Sequence, residues 1–255
     1  MDIATFPAHS SARSYLLEAK YEFIRLWRTP SFALPSLLFP LIFYVLFGVL
    51  LAGGRSGGEI ARYLLATYGV FGIMGSALFG FGVTIAIERE NGQLEYRRAL
   101  PMPPGAMLLA KMAMAMLFAA ITSVLLALIG GFAAGVNLAA WQWLTLFGVN
   151  VLGGLPFCAI GLLIGTCVGG SAAPAVVNLI YLPMAFLSGL WIPLAMLPGF
   201  IGSFAPALPS YHLAQIALKV VERDAGVALW LHLGVLVVVT VTCFMLARRR
   251  LAAAR

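Results

Sequence analysis

Charged residues are scarce in this sequence. Only 10% of its 255 residues are Asp, Glu, Lys or Arg, whereas 62% are hydrophobic, and the mean hydropathy is +0.99. Because soluble domains carry about a quarter charged residues, this composition excludes an ordinary water-soluble domain. It indicates an integral membrane protein, and we expect one membrane domain over residues 1–255.

Cysteine and the motifs of cofactor binding are also scarce. The cysteines number three, which is odd, and Cys158 and Cys167 are nine residues apart on one predicted helix, so we expect no disulfide framework. No His, Cys and acidic residues have the spacing of metal ligands, and no glycine-rich phosphate-binding motif with a lysine is present. We therefore expect no metal site and no cofactor in this chain.

Basic residues outnumber acidic ones by 16 to 9, and the excess lies just outside the apolar runs. Basic residues in that position set the orientation of the chain and meet anionic headgroups, so membrane lipids are expected partners and nucleic acid is not. Twelve of the 16 fall on the side of the N-terminus and four on the other side. This asymmetry predicts that both termini are cytoplasmic.

Six apolar runs are long enough for transmembrane helices, which need about 20 residues each. The runs lack the alternation of barrel strands. We therefore predict an all-α integral membrane fold with six transmembrane helices, at residues 31–52, 63–87, 107–131, 143–168, 174–197 and 227–247. In this prediction residues 31–247 form the bundle and residues 248–255 form a cytoplasmic tail.

Residues 12–29 have the periodicity of an amphipathic helix. Glu18, Glu22 and Arg25 share one face, and an apolar face lies opposite. We predict an interfacial helix within the cytoplasmic residues 1–30. A solvated helix that only anchors the first span is the alternative.

Short motifs predict two further features. Residues 199–208 are apolar, too short to cross a bilayer and broken by proline, which predicts a re-entrant segment between helices 5 and 6. Gly161, Gly165 and Gly169 recur at helical spacing in the fourth predicted helix, so we expect a neighbouring backbone to approach closely there.

Polar side chains inside the predicted spans are few. No span has an internal Asp or Glu, and Lys111 is placed so that its amine could snorkel to the cytoplasmic interface. The candidate pathway residues are Asn150, Asn178, Tyr181, Ser188 and Trp191. A pathway with so few polar groups favours an amphipathic cargo, such as a drug, a lipid or a glycan-like molecule, over a small ion.

Two other functional classes stay open at this stage. An ion-gradient-driven secondary carrier usually needs an ionisable group or a broken-helix ion site at the midplane, which this sequence lacks. An intramembrane lipid- or peptide-processing enzyme could pair Ser188 with His232, but Ser188 follows Phe186 and Leu187 rather than a Gly-x elbow.

The loop between the second and third predicted spans has the densest charge in the chain. It begins with Glu88, turns at Asn91-Gly92 and ends in prolines, which predicts a short amphipathic helix that could dock on a soluble partner. A solvated loop that only fixes topology is the alternative. The candidate coupling residues are Glu88, Arg89, Glu90, Gly92, Gln93, Leu94, Glu95, Tyr96, Arg97 and Arg98.

This loop resembles the E-R-E-x-G-T-L-E motif and following Thr-Pro of the permease subunits of type 2 ABC transporters. The sequence departs from the motif at Gln93 and Leu100, which replace threonines. Three other places are similar to the family: Arg28-Thr29-Pro30, Leu38-Phe39-Pro40, and Leu187-Ser188-Gly189 with Pro193 and Leu197-Pro198. The family's Asn-Pro is here Leu208-Pro209.

The resemblance implies a permease of an exporter in the bacterial cytoplasmic (inner) membrane. It implies a second permease copy, which we expect to form a homodimer, and a pair of separate ABC ATPase subunits that hold ATP and Mg. Residues 88–98 would then couple to the ATPase, and Glu18, Glu22 and Arg25 would lie near it. The chain itself would have no catalytic residues.

Overall fold

The computed structural model describes residues 11–51, 57–94, 96 and 106–253. All regular secondary structure in these ranges is helical. The α-helices are α1 Ser11–Trp27, α2 Pro30–Phe43, α3 Gly57–Leu78, α4 Thr84–Glu90, α5 Ala106–Phe132, α6 Ala140–Leu152, α7 Leu155–Cys167, α8 Ala173–Leu187, α9 Gly199–Phe204, α10 Pro209–Val220 and α11 Leu229–Ala253. Two π-helical segments, Tyr44–Leu50 and Phe79–Val83, continue α2 and join α3 to α4.

Five helical segments are long and apolar enough to cross a membrane. They match the first, second, third, fourth and sixth predicted spans, and they are Phe32–Leu50, Gly58–Glu90, Met107–Phe132, Ala140–Cys167 and Leu229–Leu251. The fifth predicted span contains a shorter apolar helix, Ala173–Leu187. The six-helix count therefore stays a prediction.

The helix of the fifth predicted span ends early because of the glycine in its Leu-Ser-Gly motif. Gly189 has a φ of +75°, which favours glycine. Its N–H donates to the carbonyl of Phe186, and the N–H of Leu190 donates to that of Ala185 at 3.1 Å. This pair of bonds is a Schellman motif, so the chain turns away from the helix axis ten residues before the predicted span ends.

Close backbone packing joins the second and fourth spans. A Cβ added to Gly165 would lie 2.9 Å from the carbonyl oxygen of Gly82, and one added to Gly161 would lie 3.1 Å from the amide nitrogen of Gly82. Gly82 belongs to the π-helical segment Phe79–Val83, so backbone meets backbone at this contact. The close approach predicted from the glycine spacing is confirmed for Gly161 and Gly165.

The bundle has two ends that differ in chemistry. We call the end that holds Arg25, Glu88 and Lys111 the charged end. We call the end that holds Gly189 and His212 the opposite end. The second span runs between them, from α3 near the opposite end to Glu90 at the charged end, and most of its side chains are buried.

Helix α10 fills the interior of the opposite end. Nearly all of its residues are buried, and it packs against α3, α6 and α11. Its N-cap is Leu208, without a side-chain cap, and the hydroxyl of Ser210 instead donates to the carbonyl of Met184 at 3.2 Å. The re-entrant course predicted for this part of the chain stays a prediction.

Candidate functional site

Four charged side chains from three helices meet at the charged end. Lys111 Nζ on α5 lies 2.7 Å from Glu22 Oε1 on α1 and 2.9 Å from Glu88 Oε1 on α4. Arg25 on α1 donates to the same two oxygens, each at 2.7 Å. Thr84 Oγ1 accepts a further bond from Lys111 at 3.0 Å. We call Glu22, Arg25, Glu88 and Lys111 the ion cluster.

The ion cluster is electrically balanced, with two carboxylates facing two cations, and three of its four side chains are buried. The side chains of Lys111, Glu88 and Glu22 are 0%, 2% and 3% exposed, and that of Arg25 is 38% exposed. Burial lowers the pKa of Arg25. The nearby carboxylates of Glu22 and Glu88 raise it by more, so the net shift of the pKa is upward. The three buried members therefore keep an uncompensated desolvation cost if a partner is lost.

The expectation that Lys111 snorkels to the interface is wrong. The amine has no exposure to solvent and is satisfied inside the protein by two carboxylates. The sequence did carry a signal for this site, because a lysine inside an apolar helix is costly unless it finds a partner. The partners lie 89 and 23 residues away in the chain, so spacing alone did not reveal them.

Helix α1 turns the polar face that was predicted for it toward its own bundle. Glu22 is buried, and Glu18 and Arg25 are partly buried. Leu16 and Tyr21 are 72% and 63% exposed. The exposed surface of α1 is therefore partly apolar, as an interfacial helix requires.

Arg89 and Glu90 bind a different element from Glu88. Arg89 donates to the carbonyl oxygens of Thr166 and Val168, the latter at 2.8 Å. Glu90 accepts a hydrogen bond from the backbone N–H of Gly170. The three adjacent residues 88–90 thus connect the end of α4 to α1 and α5 on one side, and to the end of α7 on the other.

The remaining coupling candidates follow directly after α4. Gly92 has a φ of +70°, so it allows the chain to turn after the helix. Gln93 is exposed, Leu94 is buried and Tyr96 is 70% exposed. Glu95, Arg97 and Arg98 lie outside the described residues.

A cavity of about 720 Å³ opens beside the ion cluster, between α2, the second span and α8. Arg25 and Glu88 line it near the charged end, together with the pathway candidates Asn178 and Tyr181. The other walls include Phe32, Phe39, Phe79, Val83 and Leu182. The cavity combines apolar walls with polar groups, two of them charged, and the sequence had predicted a path without internal charge.

An aromatic column continues from this cavity toward the opposite end. Tyr181 stacks on Phe71 with ring centroids 4.8 Å apart, and its hydroxyl donates to the Phe71 carbonyl at 3.2 Å. Phe71 contacts Trp191 edge-on, and Trp191 stacks on Phe43. The pathway candidate Trp191 is therefore linked to the cavity by ring contacts through Phe71 and Tyr181.

The other two pathway candidates lie elsewhere. Asn150 donates to Ser123 at 3.0 Å in a separate, smaller groove between α5 and α6. Ser188 is buried at the opposite end, where its hydroxyl donates to the Met184 carbonyl at 2.7 Å and contacts that of Ser210. Neither residue lines the large cavity.

Ser188 and His232 do not form a nucleophile and base pair. The hydroxyl of Ser188 is bonded to the groups just described, whereas Nδ1 of His232 lies 2.9 Å from Nδ1 of His212. Nε2 of His212 lies 2.9 Å from the Pro206 carbonyl. The histidine pair joins α11 to α10, and sequence spacing gave no indication of it. Among the described residues, no cluster of His, Cys, Asp and Glu could hold a metal ion.

Comparisons with known proteins agree with this architecture. Residues 14–221 match the family model described as ABC-2 type transporter. The chain is also 28% identical over 229 residues to the "Putative transport permease YvfS" of Bacillus subtilis (strain 168), in an alignment that covers 89% of this chain and 92% of that relative. The chain therefore belongs to the ABC-2 type transporter family, and it is a multi-pass membrane permease, which is a transport subunit and not a catalytic one.

Proposed function

We propose that this chain is the permease subunit of an ATP-driven exporter and works with a separate pair of ABC ATPase subunits. In this proposal the ATPase holds ATP and Mg, two identical permease copies form the membrane part, and both termini lie in the cytoplasm of a bacterial cell. The observation that carries the proposal is the ion cluster. It joins α1, α4 and α5, and α4 leads directly into the segment that carries the exposed residues Gln93 and Tyr96.

The geometry divides the coupling segment into two groups of residues. Gln93 and Tyr96 are exposed and are suited to contact a partner. Glu88 is buried, so in this conformation it acts inside the bundle, where it links the segment to Lys111 and Arg25. A displacement of the segment would reach α1 and α5 through Glu88, and α7 through Arg89 and Glu90.

The cargo path in this proposal begins at the large cavity. Arg25 and Glu88 stand at one side of it and the aromatic column leads away from it, so motion of the ion cluster would change the cavity shape. The mixture of apolar rings and polar groups fits an amphipathic cargo such as a drug, a lipid or a glycan-like molecule. The small number of polar groups argues against a hydrated inorganic ion.

The proposal is tested by tagging the full chain and purifying it with its membrane partners. We expect an ATPase to copurify in a fixed ratio, and Tyr96→Ala to reduce that ratio at least about tenfold, because an exposed aromatic anchor often dominates docking. Phe200→Ala is the matched control, since Phe200 is 73% exposed but lies on α9 at the opposite end. Purification of the chain without any ATPase, or equal loss for both variants, would contradict the proposal.

A further inference from the structure

One buried oxygen of the ion cluster has no hydrogen-bond donor among the residues that the structure describes. Glu88 Oε1 accepts bonds from Arg25 and Lys111, but Glu88 Oε2 is buried and has no partner among the described residues. The Glu88 side chain is 2% exposed. A buried carboxylate oxygen without a donor is unfavourable, and such groups are normally satisfied by a protein group, a water molecule or a ligand.

The residue with the unsatisfied oxygen lines the large cavity. Aromatic residues Phe32, Phe39, Phe79 and Tyr181 form much of the same lining. The negative face of an aromatic ring attracts a cation. Glu88, whose carboxylate lacks one donor, and several rings that favour positive charge therefore line one space of about 720 Å³, which is the size of a site for a drug-like molecule.

The charge balance of the ion cluster also favours a cation over an anion. Arg25 is the cation on the cavity wall, but its guanidinium already donates to both Glu22 and Glu88. Lys111 is buried and bonded to the same carboxylates. An anionic headgroup would have to compete for these donors and would face Glu88, whereas an ammonium group would supply the missing donor.

We propose that this cavity binds amphipathic amines, with a protonated amine donating to Glu88 Oε2 and the apolar body lying among the four rings. This inference rests on the proposed function only in one respect, namely that the bound amine belongs to the class of molecules that the exporter carries. Binding itself needs no ATPase and no second subunit type. The cavity then selects for a positive headgroup, which a generic apolar groove would not do.

The test uses the full chain in nanodiscs of zwitterionic lipid, with empty nanodiscs as the blank. The probes are 10-phenyldecylamine, 10-phenyldecanol and 10-phenyldecanoate, which share a body and differ in headgroup charge. Calorimetric titration should give the amine an affinity about tenfold or more above both others, as expected for a hydrogen bond to a charged group. Affinities within about twofold of each other, or tightest binding of the carboxylate, would overturn the proposal.

The decisive variant keeps the ion cluster neutral. Glu88→Gln together with Lys111→Gln removes one charge of each sign and leaves Glu22 paired with Arg25. We expect the amine to lose its advantage over the alcohol while the affinity of the alcohol changes little. An amine advantage that survives in the folded double variant would contradict the assignment of Glu88.

A second variant tests the site without disturbing any charge. Phe79→Leu removes one lining ring and should reduce the affinity for the amine a few-fold more than that for the alcohol. Phe147→Leu is the matched control, because Phe147 lines the smaller groove beside Asn150. An unchanged ratio of amine to alcohol affinity in Phe79→Leu would contradict a role for the rings.

The binding result and the ATPase result can fail separately. Equal affinities for the three probes with a stoichiometric ATPase would remove the cargo class and keep the exporter. A clear amine preference in a chain that copurifies with no ATPase would remove the exporter and keep the site.

Discussion

At the charged end three of the four clustered ionisable side chains are almost fully buried, whereas at the opposite end both members of each described ion pair are partly exposed. Glu22 and Lys111 have almost no exposure in the first group. In the second group, the side chains of Arg223 and Glu59 are 36% and 65% exposed. The buried groups of the opposite end are neutral, such as Ser188 and Ser210, whose hydroxyls bond to the carbonyl of Met184.

The difference shows which contacts can transmit a displacement. A buried ion whose partner is removed keeps its desolvation cost, so the members of the ion cluster must stay together when the segment moves. An exposed pair exchanges its partner for water at little cost. Helices α1, α4 and α5 are therefore expected to move as one unit, while the surface pairs of the opposite end impose no such constraint.

The largest effect is expected from Lys111→Met, which leaves two buried carboxylates facing Arg25 alone. Breaking a buried pair in this way costs about 3–5 kcal/mol. We expect a large fall in the thermal unfolding midpoint of the purified protein, measured by fluorescence or light scattering. The matched control is Lys219→Met, because the Lys219 side chain is 26% exposed in its pair with Asp224. Equal falls for both variants would remove the distinction between the two ends.

A smaller effect is expected from Gly165→Ala. This variant tests whether close backbone packing, in addition to the hydrogen bonds of Arg89 and Glu90, holds α7 against the second span. The added Cβ would lie 2.9 Å from the backbone carbonyl of Gly82, which cannot move aside like a side chain. Overpacking of this kind costs about 1–3 kcal/mol, seen as a lower unfolding midpoint. Gly148→Ala is the control, because the new Cβ would have no atom of another described element within 4 Å. If the two variants unfold alike, close packing is unimportant there.

Ser188→Ala tests the neutral contacts of the opposite end. It removes the hydrogen bond to the Met184 carbonyl and the contact with Ser210, for a loss of about 1 kcal/mol. Exposed Ser203, whose hydroxyl donates to Gly199 at 3.3 Å, is the control position, and Ser203→Ala should have no measurable effect. Transport should persist in Ser188→Ala. Complete loss of transport in a normally folded variant would instead contradict a purely structural role for Ser188.

The smallest effect concerns the surface pair at the opposite end. Burial raises the pKa of Asp224, but hydrogen bonds from Lys219 and from the backbone N–H of Gly226 lower it more, and the net shift is downward. The stabilisation is therefore present above the ordinary pKa of about 3.9 and is lost as the pH falls through the lower folded value. Unfolding midpoints measured from pH 6 to pH 3 should fall slightly less for Asp224→Asn than for the unchanged protein. A steeper fall in the variant would show that the sign is wrong.

Features that depend on local sequence were predictable. The apolar runs located five helices that are long and apolar enough to cross a membrane, and a shorter apolar helix in the fifth predicted span. The glycine spacing identified the contact made by Gly161 and Gly165. Both signals act within one helix, so periodicity and composition are sufficient to detect them.

The length of the fifth helix was not predicted correctly, although its cause lies in the sequence. Gly189 belongs to the motif on which the family resemblance was based, and its positive φ ends the helix. Hydropathy alone extended the span beyond that point because the residues after Gly189 are also apolar. A glycine inside an apolar run was the available signal for a helix end.

The sequence by itself determined that this chain is a helical membrane protein and a transporter permease, because apolar length and short motifs are properties of contiguous residues. Only the tertiary structure decided that Lys111 is buried, that Glu22 and Glu88 share it, and that Asn178 and Tyr181 face one cavity while Asn150 does not. Those relations join residues on different helices. Helix packing fixes them, and no spacing along the chain records which faces will meet.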